Sequence, residues 1–131
     1  MNTNTIIEKI HSGELDSKLL DIYVDNKKLD YQKNRYIDAI RRFEALYGAG
    51  GISIFSAPGR SEVGGNHTDH QHGKVLAASI NLDSLAIVRP TNDNVIRIVS
   101  GAYKEIVIAL DDISLKEEEK ETTTALIKGV I

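Results

Sequence analysis

Apolar positions recur every three or four residues in the first part of the chain and every second residue further on. Tyr36, Ile37, Ile40, Phe43, Leu46 and Tyr47 form one stripe, with Arg35, Asp38, Arg41, Arg42 and Glu44 mainly on the other side. This predicts an amphipathic helix over residues 30–47, stopped by Gly48. Two shorter helices are predicted before it. One carries Ile6, Ile7 and Ile10, with Asn4-Thr5 as its cap and Ser12-Gly13 as its stop. The other covers residues 16–23 through Leu19, Leu20 and Tyr23, and Asp25-Asn26-Lys27-Lys28 reads as the turn after it. Ala49-Gly50-Gly51 is a flexible joint.

From Ile52 the pattern turns strand-like, over residues 52–56, 75–80, 84–89, 95–100 and 105–110. Pro58-Gly59 is expected to end the first of these strands, because proline has no ladder donor. Asn81-Leu82-Asp83 reads as a bend and Pro90-Thr91-Asn92-Asp93-Asn94 as a turn. The last three runs, joined by short turns, suggest an antiparallel meander. Residues 116–120, including Glu117, Glu118 and Glu119, read as a charged, solvated stretch. Thr122-Thr123-Thr124 offers a cap for a helix starting at about Ala125.

At 131 residues the chain is expected to be a single domain: helical over 1–50, strands and a polar loop over 51–115, and the start of a helix over 116–131. Its 41% apolar and 27% charged content is that of an ordinary globular protein. A net charge of −3 gives no global basic field, which argues against nucleic acid or an anionic membrane as partner. With no cysteine, disulfides and thiolate metal sites are excluded. No apolar run approaches the ~20 residues that cross a bilayer. The first residues lack the basic start and apolar core of a signal peptide, so the cytoplasm is the expected location.

The chemistry concentrates in residues 56–73, which hold three of the four histidines and one of the two prolines. Gly64-Gly65 allows positive φ or close backbone approach. Arg60, Asn66, His67, Asp69 and His70 lie around these breakers as a dense set of donors and acceptors between two strands. A carboxylate accepts from two hydroxyls, and an amide or imidazole both donates and accepts, so Asn66, His67 and Asp69 suit a sugar. The alternative is local: Asp69 and Asn66 cap the loop through Asx-type turns. His67, His70 and His72 have no spacing that ties them to a defined metal site, and no metal is expected. The glycines match neither a Walker loop nor Gly-x-Gly-x-x-Gly.

Ala57-Pro58-Gly59-Arg60, Gly65-Asn66-His67-Thr68-Asp69 and Gly73-Lys74-Val75-Leu76 together resemble the sugar-binding signature of galactokinases, in the GHMP kinase superfamily. The resemblance runs from about Ile37 to the C-terminus and is sharpest over residues 56–80. Arg60, Gly65, His67 and Asp69 match the pattern. Glu62 stands where the family has asparagine, Gly64 where it has isoleucine, Asn66 where it has glutamate and His70 where it has tyrosine.

The resemblance implies an α+β fold, with N-terminal helices followed by a mixed, largely antiparallel sheet. It implies ATP-dependent phosphorylation of galactose or a related hexose at the anomeric hydroxyl, with Mg²⁺. Arg60 would stabilise the charge of the migrating phosphoryl group. Its alternative is a brace, paired with Glu62 or an interior carboxylate. Asn66, His67, Thr68 and Asp69 would hold the sugar, and Ser100 would sit near the nucleotide or simply end its strand. A Gly-Leu-Ser-Ser-Ser-type phosphate loop and the later catalytic aspartate are absent from the 131 residues, which reads as an N-terminal piece or a shortened product. The rival reading is a non-catalytic sugar-binding or regulatory relative on the same fold. The purified chain alone is therefore expected to transfer no phosphate from ATP to a hexose. Protein-dependent transfer in a radiolabelled-ATP assay would overturn it.

Overall fold

The computed structural model describes residues 1–65 and 71–131. These form two compact units, Met1–Arg89 and Pro90–Ile131. The first holds three helices, α1 (Thr3–His11), α2 (Asp16–Tyr23) and α3 (Leu29–Tyr47), and a long antiparallel pair, β1 (Ser53–Gly64) with β2 (Leu76–Val88). The second holds a short antiparallel pair, β3 (Val95–Ile98) with β4 (Ile106–Ala109), and a terminal helix α4 (Thr123–Lys128). The class is α+β, helices first and antiparallel strands after them, and the pairings among the described residues are all antiparallel.

The helices follow their periodicity. Asn2 caps α1 by accepting from the Asn4 amide, and Asp25 caps a single 3-10 turn, Asn26–Lys28, that leads into α3. Ile6 and Ile10 of α1, Leu19 and Tyr23 of α2, and Tyr36, Ile37 and Ile40 of α3 are buried together with Ile52. Ile54, Leu85 and Ile87 pack on this cluster from the strands. They alternate with outward Phe55, Ala86 and Val88, as one face of a pleated pair must. The apolar stripe of α3 is shorter than its sequence suggests, since Leu46 is exposed.

Arg89, at the end of β2, closes the helix–sheet corner. Its guanidinium donates to the carbonyls of Tyr47 (3.0 Å), Gly48 (2.8 Å) and Gly51 (3.3 Å), and lies 5.0 Å from the centre of the Phe43 ring. A cation on the last carbonyls of α3 meets the negative end of the helix dipole and satisfies acceptors that the helix leaves open.

The strands differ from expectation at three points. Pro58-Gly59 does not end β1, which runs on to Gly64. Asn81-Leu82-Asp83 does not end β2, which is continuous from Leu76 to Val88. Pro58 pairs with Asp83 and Arg60 with Ser79, so the residues Ile80–Leu82 stand opposite Gly59 alone. The bend is thus a bulge carried within the ladder, where proline and glycine are both tolerated. Finally, residues 84–89 do not join a meander: β2 pairs with β1, and β3 pairs with β4.

In the second unit Ile108 is buried, and the acidic run is not uniformly solvated. Glu119 accepts from the buried Lys128 ammonium at 2.7 and 2.8 Å, and Lys128 also donates to the Ser114 carbonyl at 3.1 Å. Thr122 caps α4 by accepting from the Ala125 amide. None of the described helices is long and apolar enough to cross a membrane.

Replacing Arg89 by Met should lower the stability of the Met1–Arg89 unit by about 1–3 kcal/mol, because the partly buried Tyr47 carbonyl and two exposed ones lose a charged donor. Replacing Arg97, whose ion pair with Asp93 is exposed, should change stability by under about 0.5 kcal/mol. Urea unfolding of the two variants measures both, and equal effects would show that Arg89 does not brace the corner.

Candidate sugar-binding site

The described part of the site is the antiparallel pair β1–β2, with its base in the core and its far end exposed up to Gly65 and from residue 71. Ser56 lies at the junction: its neighbour Ile54 packs on the core, while residues 57–65 and 71–82 are all exposed. Arg60 is exposed, faces Ser79 across the ladder, and shares a face with Ser56 and Pro58 by alternation. Gly65 has φ +112, and a Cβ there would lie 2.6 Å from the Lys74 carbonyl oxygen and the Val75 Cα, so only glycine fits. Asn66, His67, Thr68, Asp69 and His70 lie outside the described residues.

Ser100 lies beyond the end of β3, and its carbonyl accepts from the Tyr103 amide at 3.0 Å in a turn. His72 has φ +60. Among the described residues no group of His, Asp or Glu side chains is arranged to hold a metal ion.

At the base of the hairpin is a buried polar node that sequence reasoning missed. The Asp83 side chain is only 3% exposed. Its Oδ2 accepts from Ser56 Oγ at 2.6 Å and from Tyr23 Oη at 2.8 Å. Its Oδ1 accepts from Arg35 Nη1 at 2.5 Å, and its backbone carbonyl accepts from Arg35 Nη2 at 2.9 Å. One residue thus ties α2, α3 and β1 to β2. The Tyr23 proton is committed to Asp83, so Tyr36 must donate in the 3.1 Å bond between the two phenols.

Burial alone would raise the Asp83 carboxyl, but the bonds from Ser56, Arg35 and Tyr23 outweigh it and hold the group below the ordinary value of 3.8. Burial, reinforced by the bond to Tyr23, pushes the Tyr36 phenol well above its usual value. The node is therefore centred on a carboxylate that is ionised at neutral pH. Its signal was in the sequence: Asp83 sits two residues before Leu85 and four before Ile87, so it shares their inward face. An acid at an inward position demands donors.

Beside the node an open cleft of about 410 Å³ lies between the end of α2 and the hairpin, lined by Ile22, Val24, Ser56, Pro58, Asn81 and Asp83 among others. Its walls mix apolar carbons with hydroxyl and amide groups. Val24 holds φ +63 in ending α2, an uncommon conformation for a β-branched residue.

Residues 41–90, which run from the second half of α3 to the end of the β1–β2 pair, match the family model for the galactokinase galactose-binding signature. The chain carries that signature, and over this stretch it is related to the galactokinases. It is 31% identical over 83 residues to a galactokinase of Enterococcus faecalis, covering 61% of this chain and 21% of that protein. It is 32% identical over 103 residues to a galactokinase of Clostridium tetani, covering 77% of this chain and 26% of the relative. A galactokinase of Lactobacillus helveticus is 28% identical over 96 residues, with 72% and 25% covered. The matched stretch thus spans no more than about a quarter of these curated relatives. No solved structure matches the chain.

Because the folded-state pKa of Asp83 is depressed, its stabilising contribution is present above about pH 4 and is lost as the pH falls through the folded value. Asp83→Asn should cost about 3 kcal/mol at pH 7, since Arg35 loses its ionic partner. The gap between wild type and variant in urea unfolding should narrow progressively below pH 4. A gap that stays constant from pH 7 to pH 2 would mean the carboxylate is not the ionised hub.

Proposed function

We propose that this chain is the sugar-binding portion of a galactokinase-like enzyme that phosphorylates galactose or a related hexose at its anomeric hydroxyl using ATP. The observation that carries the reading is the galactose-binding signature over residues 41–90, which spans the hairpin and both ends of its polar loop. In this reading Asn66, His67, Thr68 and Asp69 grip the sugar hydroxyls from the loop. Arg60, on the exposed strand before them, offers a guanidinium to the charge that develops on the migrating phosphoryl group.

ATP and Mg²⁺ are the other partners of that reaction. The described residues do not fit them: they include no cluster of carboxylates or imidazoles for a cation, and Ser100 sits in a local turn.

A second reading, a non-catalytic sugar-binding or regulatory protein, is favoured by two substitutions in the signature. Asn66 replaces a glutamate and His70 a tyrosine relative to the galactokinase pattern. An amide keeps hydrogen bonding but loses the stronger charge-assisted bond. An amide can also donate, which suits a sugar position that presents an acceptor.

Calorimetric titration of the chain with galactose and its epimers tests the sugar reading. Galactose should bind, and Asp69→Asn should weaken it by ~10-fold or more, the worth of a hydrogen bond to a charged group. Asn66→Glu should change the ratio of affinities between galactose and its epimers. Absence of binding to any hexose would overturn the reading, and a mutation that scales all sugars equally would reduce Asn66 to a brace of the loop.

A further inference from the structure

Past Ser56 the hairpin leaves the core, and nothing apolar is buried there to define its register. Residues 57–65 and 71–82 are exposed on both faces, and the β2 side offers the near-repeat Ala77-Ala78-Ser79. Small, similar side chains in water discriminate poorly between one alignment and the next. Yet register decides which β2 residue lies beside Arg60, because a slip of one residue brings the opposite face of β2 to it.

The ladder shows how the alignment is held. On β1 the paired positions step from Pro58 to Arg60, and on β2 from Asp83 to Ser79. The bulge on β2 therefore contains two residues more than the single Gly59 opposite it. An even excess preserves the faces of β2, so Asp83 and Ser79 both stay on the face that Pro58 and Arg60 share. Gly59 lies against the bulge, where a Cβ would come within 3.3 Å of the Ile80 side chain and the Leu82 carbonyl oxygen. The bulge begins at Asp83, whose side chain and backbone carbonyl are both fastened. Arg35 grips its carbonyl at 2.9 Å and its carboxylate at 2.5 Å, Tyr23 holds it at 2.8 Å, and Ser56 bonds it across the strands at 2.6 Å.

We propose that Asp83 is a positioning residue for the sugar site: through Ser56 it sets the point at which the β2 bulge starts, and so the register that places Arg60 opposite Ser79 of the cleft wall. Arg35 and Tyr23 anchor Asp83 to the helices, and Ser56 transmits that anchor to β1 just ahead of Ala57-Pro58-Gly59-Arg60. The importance of Arg60 rests on the sugar-kinase reading above. The claim about register does not.

Isotope-labelled chain decides the matter in two measurements. The first is the cross-strand amide contact between Arg60 and Ser79 in nuclear magnetic resonance spectra, with hydrogen exchange over residues 57–64 and 76–82. Ser56→Ala and Asp83→Asn should weaken or split that contact and raise exchange ~10-fold or more there. Tyr36→Phe, which removes a buried hydroxyl from the helix side of the node, should lower Tm while keeping a single wild-type register. The second measurement is galactose affinity, which should fall ~10-fold in Ser56→Ala and stay with the wild type in Tyr36→Phe.

Should Asp83→Asn fail to fold, Ser56→Ala alone decides, since it leaves the bonds of Asp83 to Arg35 and Tyr23 in place. An unaltered Arg60–Ser79 contact in Ser56→Ala would overturn the proposal. So would a slipped register with unchanged galactose affinity, or a Tyr36→Phe variant that loses register equally. If wild-type chain binds no hexose, the sugar reading falls, and the register measurement still tests the role of Asp83.

Discussion

The Met1–Arg89 unit turns on a carboxylate taken out of water. Asp83 is almost fully buried, and an ionised carboxylate in that position is tolerated only when donors replace its hydration. Arg35, Tyr23 and Ser56 supply them from α3, α2 and β1. The same bonds keep the group ionised, because each of them favours the charged form. The node is thus self-consistent: burial makes the donors necessary, and the donors fix three elements around one point. The apolar cluster below it holds the helices to the base of the hairpin without specifying direction. The directional bonds at Asp83 and the guanidinium of Arg89 specify how the strands leave that base.

What could be read from the sequence follows the strength of periodicity. The second helix was expected over 16–23 and found at Asp16–Tyr23, and the long helix over 30–47 was found at Leu29–Tyr47, because both carry apolar stripes closed by clear stops. Strand extents were misjudged for a physical reason. Pro58-Gly59 and Asn81-Leu82-Asp83 carry the chemistry of chain breaks, and a bulge uses the same residue types to keep a ladder going through a local distortion. Sequence shows the distortion and not which way the chain resolves it. The α+β class was legible; the two separate pairings in place of a meander were not, since pairing partners depend on contacts far apart in the chain.

The candidate site was legible in part for a different reason. Arg60 and the loop from Asn66 to Asp69 stand out because polar residues packed between glycines have no use in a core. Asp83 did not stand out, because it sits between two apolar runs and its neighbours suggest a turn. Its function depends on Tyr23, Arg35 and Ser56, which lie 60, 48 and 27 residues away in the chain. Only the fold brings them together. The matched signature begins inside α3 and ends beyond Asp83 at the hairpin's base, so it takes in the strands that support the loop as well as the loop.

The exposure of Arg60 bears on what this geometry can accomplish. A unit charge about 4 Å away gains about 1 kcal/mol from a cation in bulk water, and about 4 kcal/mol where the effective dielectric constant is near that of a protein surface. Electrostatic stabilisation of a phosphoryl group is strong only where water is excluded and the donor is already in place. The described pair of strands meets the second condition for its backbone alone, since its base is fixed by Asp83 and Gly65 can be only glycine. It does not meet the first, because residues 57–65 are open to solvent. Sugar binding asks less: hydroxyls are recognised by short-range bonds that survive at a wet surface, with water bridging where direct contact is lacking. The arrangement of the described residues is therefore better suited to recognising a sugar than to transferring phosphate.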